Sequence, residues 1–136
     1  MEPGAVTIAY YYHVRWGHHD EFLSLFRRNH YPILADQLES GRFLEVRCQR
    51  PRFHGDGAAG WNFVVTITYR AWAAVEAHSE ADIAARLFPD QDRYRAEERR
   101  RFELLEAHWD VPLEEVDLGD DPSHQQSRTG LGFTRR

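Results

Sequence analysis

Asn29-His30-Tyr31-Pro32 places an amide, an imidazole and a phenol together in a stretch that otherwise reads as one long amphipathic helix. A proline inside a helix deletes a ladder hydrogen bond and crowds the carbonyl four residues back, at a cost of about 3 kcal/mol. A kink at Pro32 would free a backbone carbonyl beside three polar side chains, a suitable wall for a small-molecule pocket. It would serve equally to bend the helix around a sheet, with His30 on the surface or satisfied in the core. His13, beside Arg15 and Arg47, forms a second candidate set. Both sets offer acid-base and electrostatic chemistry. A histidine moves a proton near neutral pH, a tyrosine orients a carbonyl or phenol, and an arginine holds an enolate or carboxylate. His30 and His13 are the candidate bases, and Asn29, Tyr31, Tyr11, Arg15, Arg47 and Trp61 the candidate substrate-binding residues.

Other chemistries lack their signatures. All 17 basic side chains are arginine, which excludes Schiff-base catalysis and a P-loop phosphate lysine, since both need a primary amine. The eight histidines form no HExxH, and the chain has no EF-hand loop and no cysteine pair. His18 and His19 face different directions, and His19 and His30 lie roughly 16 Å apart at the standard helical rise. A metal site would have to be assembled from scattered residues such as His13, His30 and His78, so neither a metal nor a tightly bound cofactor is expected. Cys48 has no nucleophile signature around it, and the absence of GxSxG and GxGxxG removes the hydrolase, NAD and flavin fingerprints.

The 136 residues suffice for one domain that buries roughly two thirds of its unfolded surface, with no staple needed. A single cysteine cannot form an internal bridge, and MEPGAVTIAYYY lacks the layout of a signal peptide, so a reducing compartment, the cytoplasm, is the expected location. No apolar run approaches the length of about 20 residues that spans a bilayer, and the net charge of −5 argues against nucleic acid or an anionic membrane as partner. Four tryptophans, six tyrosines and eight phenylalanines suit either a flat organic ligand or aromatic core packing.

These residues must be positioned by the elements around them. Val6 to Trp16 reads as a first strand, and His18 to Ser40 as a helix kinked at Pro32 and closed by Gly41. Phe43 to Arg50 and Trp61 to Arg70 read as strands around a glycine-rich turn from Phe53 to Gly60. Trp61 is expected to share a face with Phe63, Val65, Ile67 and Tyr69. From Ala71 the period is helical in two pieces, with Pro89 opening the second. That second piece is expected to run to about His108, with Tyr94, Arg101, Phe102, Leu105 and Trp109 buried and EERRR solvated. Pro112 is expected to end it, and Val111 to Leu118 to form the last strand. Residues 1–118 thus make one domain and 119–136 a flexible tail.

The order β-α-β-β-α-β predicts an α+β, ferredoxin-like fold: a four-stranded antiparallel sheet with helices on one face. Alternation assigns Val6, Ile8, Tyr10, Tyr12 and Val14 to the helix side, together with Leu44, Val46 and Cys48. Tyr11, His13, Arg15, Phe43, Arg47 and Val64 fall on the opposite face. That face is mixed: its aromatics suit a lined cavity or a subunit interface, and its polar residues suit a sheet face open to water equally well.

This layout, with YYYHVRWGHHDEFLSLF turning a first strand directly into a helix, resembles the dimeric α+β barrel superfamily over about residues 6 to 118. That superfamily includes antibiotic-biosynthesis monooxygenases, haem-degrading monooxygenases, muconolactone isomerases, and EthD and NIPSNAP-like proteins. The resemblance implies a homodimer with two sheets face to face, and a small organic molecule bound between sheet and helices without a tightly held cofactor. The haem-degrading branch carries an asparagine on its first strand, and this chain has none there. The expected function is an enzyme using acid-base chemistry on an aromatic or polyketide-like substrate, as isomerase, cyclase or cofactor-independent monooxygenase. The alternative is a non-catalytic ligand-binding or dimeric accessory protein.

Overall fold

Alternating apolar residues build four strands in the computed structural model, which describes residues 4–53, 60–77 and 80–119: β1 (Val6–Val14), β2 (Phe43–Gln49), β3 (Phe63–Tyr69) and β4 (Leu105–Leu113). They pair antiparallel in the order β2-β3-β1-β4. The crossover from β1 to β2 carries α1 (His19–Leu25), a π-helical turn (Phe26–His30) and α2 (Tyr31–Glu39). The return from β3 to β4 carries α3 (Trp72–Glu76), α4 (Glu80–Leu87) and α5 (Gln91–Glu103). This is the split βαβ arrangement of a ferredoxin-like fold. Its core lies between sheet and helices, where Ile8, Tyr12 and Val14 of β1 and Phe63, Val65 and Ile67 of β3 meet Phe22, Phe26 and Leu34.

The break in the first helix differs from a proline kink. It precedes Pro32 as a five-residue π turn, and Pro32 itself sits in the first turn of α2. The Tyr31 N–H reaches back to the Phe26 carbonyl, five residues away. The wider turn spares the clash a proline makes in a regular α-helix, and one extra residue per turn shifts Asn29 and His30 inward.

Two further expectations need correction. Phe43 is buried rather than on the open face, because the β2–β3 register slips between Phe43 and Glu45. A bulge places two residues opposite one, so Phe43 joins Val46 and Cys48 on the helix side and Leu44 leaves it, half-buried; Cys48, opposite Val65, is exposed there because β2 is an edge strand. The last helix stops at Glu103, not near His108, and β4 starts at Leu105. Pairing along β1 from Thr7 to Val14 decides the matter, since ladder formation overrides the helical pattern of Leu105 and Trp109. Phe102, expected to be buried, is exposed. Pro112 lies within β4 opposite Ile8, on an edge strand where its missing N–H is tolerated. The final strand therefore ends at Leu113, and Val116 and Leu118 are exposed. At the other break, α5 begins not at Pro89 but after an Asp90 cap, whose side chain accepts from the Arg93 N–H at 3.0 Å. Most of the Phe53–Gly60 turn and the tail from residue 120 lie outside the described residues.

Asn62 ties the end of β1 down by imitating a strand: its Oδ1 accepts from the Val14 N–H at 2.7 Å and its Nδ2 donates to the Val14 carbonyl at 2.9 Å. His19 contacts the same amide at 3.2 Å and packs between the Trp16 and Phe63 rings, which gives this histidine a structural place.

The bulge makes a direct prediction. Phe43→Ala should lower the unfolding free energy by about 3–5 kcal/mol, whereas Cys48→Ala should change it by less than about 0.5 kcal/mol. Urea denaturation of the two variants checks this, and equal costs would contradict the β2 register.

Candidate functional site

The sheet separates the two candidate sets. His30, Asn29 and Tyr31 belong to the helical side, whereas Tyr11 and His13 project from β1 to the open face.

On the open face, His13 and Arg15 converge on Glu106, at 3.2 and 3.7 Å. Arg47 does not join them. It lies on β2, beyond β3 and β1 from β4, and pairs with Glu45 at 3.9 Å. Tyr11 stacks on Trp109 with centroids 5.4 Å apart and meets Trp61 edge-on at the same distance. Trp61 precedes β3 and turns to the open face, away from Phe63 and Val65. The result is an aromatic patch beside a neutralised charge cluster.

On the helix side, the π turn aims His30 inward, and its side chain is only 17% exposed. Its ring meets Phe26 edge-on at 5.0 Å, and that same Phe26 ring carries the Arg101 guanidinium 5.5 Å from its centroid. Burial, with further lowering from the nearby Arg101 and His108, brings the His30 pKa down to about 3. Glu80 stands 3.9 Å away, but a neutral imidazole forms no ion pair with it. Asn29, fully buried, donates to Glu97 at 3.2 Å, and Glu97 also binds Arg28 and Arg93. Tyr31 is exposed at the mouth of a cleft.

Two residues of this interior, Arg101 and Tyr12, and the exposed His108 beside them had no motif to reveal them. Arg101, 2% exposed, stacks against Phe22, Phe26 and Phe102 and grips Glu98 through Nε and Nη2 at 3.0 and 2.8 Å. Burial works against its charge, and the Glu98 carboxylate more than restores it. Its Nη1 is buried and makes no hydrogen bond of good geometry among the described residues, the Tyr12 phenol being the guanidinium's other polar neighbour. Tyr12 lies beside it: burial pushes the phenol up to about 12, while the guanidinium pulls the other way. His108 stacks flat on Tyr12 at 4.4 Å and contacts the Tyr11 carbonyl through Nδ1 at 2.8 Å. A carbonyl can only accept, so this contact assigns the proton to Nδ1. The one sequence signal was Arg101 itself, an arginine in the buried stripe of an amphipathic helix.

A cleft of about 610 Å³ opens where the π turn faces the edge of β2. Leu23, Phe26 and Phe63 form its floor, and Arg27, Tyr31, Cys48 and Arg50 stand around it. No histidine lines it among the described residues. Within the same residues no group of three or more His, Cys, Asp or Glu could hold a metal ion, and His78 falls outside them. Among the described residues no helix is long and apolar enough to cross a membrane.

No protein-family model and no curated protein matches this chain. Solved structures share its fold. A NIPSNAP family protein from Agrobacterium tumefaciens is 21% identical, with 84% of this chain and 95% of that one covered and a TM-score of 0.53. A dimeric protein of ferredoxin-like fold from Bacteroides fragilis is 15% identical over 85% of this chain and 100% of its own, also at 0.53. SnoaB, a cofactor-independent oxygenase from Streptomyces nogalater, is 14% identical over 87% and 99%, again at 0.53. The fold is therefore ferredoxin-like, as the element order predicts.

The buried imidazole makes stability depend on pH. The unfolded chain binds a proton at His30 near the ordinary histidine value of 6.5, and the folded chain only near 3. Stability from this group is fully present above pH 6.5 and falls by about 1.4 kcal/mol per pH unit as the pH drops toward 3. His30→Gln should lose less stability than the parent on acidification from pH 8 to pH 4, measured by urea unfolding. Identical losses would mean that the imidazole is not held neutral.

Proposed function

We propose that this chain is a homodimeric enzyme that applies acid-base chemistry, without a tightly bound cofactor, to an aromatic or polyketide-like small molecule. Isomerisation, cyclisation or cofactor-independent oxygenation are the reaction types. The observation that carries this reading is the buried Nη1 of Arg101, without a hydrogen bond of good geometry, close to a neutral His30, with Tyr12 and Phe26 between sheet and helices. A buried donor left without an acceptor costs about 1–3 kcal/mol, and an oxyanion in the site would repay it. A phenol or enol held there would lose its proton to the imidazole, and the guanidinium would stabilise the resulting anion. An imidazole with a pKa near 3 is a weak base when the site is empty. A negative charge beside it raises that pKa, so proton transfer and anion stabilisation reinforce each other.

SnoaB, a structural neighbour, is itself a cofactor-independent oxygenase, which supports the reading at the level of fold and no further. The dimer rests on Tyr11, Trp61 and Trp109 on the open face, together with Ala9, Val64 and Val111 on the same side. A dimeric neighbour shares the ferredoxin-like fold. Against the enzyme stands one observation: the described lining of the β2 cleft includes no histidine, as a non-catalytic ligand-binding protein would have it.

Light scattering at micromolar concentration should return about twice 16.0 kDa, and a clean monomer would remove the dimer from this proposal. With a panel of tricyclic phenols and anthrones in air, oxygen uptake or a spectral change should accompany the parent protein. His30→Gln should lower kcat at least a hundredfold while its melting temperature at pH 8 stays within a few degrees. Tight binding without turnover in the parent would make the ligand-binding reading the better one.

A further inference from the structure

Most arginines of this chain's helices spend their charge on a neighbouring carboxylate: Arg28 on Glu97, Arg86 on Asp36, Arg100 on Glu21, Arg101 on Glu98. Arg27 and Arg50 do not. Among the described residues neither has an ion pair or hydrogen bond, and both stand on the cleft of about 610 Å³ at the β2 edge. Arg27 comes from the π turn and Arg50 from the chain leaving β2, so the two guanidiniums approach from opposite walls. No acidic residue lines the cleft among the described residues, in a protein whose net charge is −5. The floor is apolar and largely aromatic, made by Phe26, Phe63 and Leu23, and the Tyr31 ring stands at the mouth.

We infer that this cleft is a binding site for a planar aromatic carboxylate, its ring system against the apolar floor where Leu23, Phe26 and Phe63 surface beside Tyr31, and its carboxylate between Arg27 and Arg50. The volume suits a ligand of two fused rings. Two unpartnered guanidiniums at the end of a flat apolar slot select an anion over a neutral ring, because a fork of N–H donors matches a carboxylate in both geometry and charge. Their charge is felt at Cys48 on the cleft: desolvation raises the thiol pKa, and Arg27 and Arg50 draw it back. The site goes beyond the proposal for His30 and does not depend on it. Phe26 is the one residue they share.

Cys48 supplies the reporter, as the chain's single cysteine, exposed on the cleft wall. 2-Naphthoate should bind with a Kd below a millimolar by calorimetry and slow alkylation of Cys48 by neutral iodoacetamide at least fivefold. 2-Naphthamide, the same ring without the charge, should do neither. The double variant Arg27→Gln, Arg50→Gln should weaken naphthoate binding at least tenfold and abolish most of the protection. Both residues are exposed, and circular dichroism confirms that the variant is folded. His30→Gln should bind naphthoate as the parent does, whatever becomes of turnover. Equal protection by the amide, or undiminished binding in the double variant, would overturn the site. Naphthoate binding that leaves Cys48 unprotected, or that is lost in His30→Gln, would move the ligand to the interior and overturn it as well.

Discussion

A guanidinium taken out of water must be neutralised where it lies, and in this fold that requirement falls on Arg101. Glu98, one helical turn earlier, closes a two-point fork on it, and Phe22, Phe26 and Phe102 lay their rings around it. Breaking such a pair would strand the partner charge, at a cost of about 3–5 kcal/mol. The arrangement links α5 to α1 and the π turn through aromatic faces rather than through aliphatic packing alone. The fork uses Nε and Nη2, and so leaves Nη1 aimed at whatever else the interior can offer.

The π turn gives that interior a histidine. Without an extra residue between α1 and α2, His30 would sit about 100° further around the helix, and Phe26 would not stand between it and Arg101. The same turn presents Arg27 and Tyr31 outward, toward the edge of β2. One local irregularity therefore serves two places, an inner one with a neutral imidazole and an outer one with free positive charge. Pro32, just after it, is the residue that makes a regular helix through this segment costly.

The open face obeys a different constraint. Its aromatic patch of Tyr11, Trp61 and Trp109 gains little from the helices, which all lie on the other side of the sheet. His13 and Arg15 are already engaged by Glu106, so this face offers packing surface more than reactive groups. That division of labour between the faces explains why two candidate sets that look equivalent in the sequence become unequal once folded.

The alternation of β1 and β3, the element order and the location of an irregular turn near residue 30 were determined by the sequence alone, because periodicity and proline chemistry act over a few residues. Tyr31 and His30 were legible for the same reason. The bulge at Phe43 and the conversion of residues 105–108 from helix to strand were decided only when β1 and β3 offered their ladders, since pairing partners some 60 to 100 residues away carry no local signature. The contacts of Tyr12 with Arg101 and with the exposed His108 belong to the same class. Each of the three residues lies in a different stretch of the chain, each reads locally as an ordinary strand or helix residue, and only their contact in three dimensions makes a site. Arg27 and Arg50 were invisible for a related reason: a cation's lack of a partner is a property of the folded surface and of what its neighbours already hold.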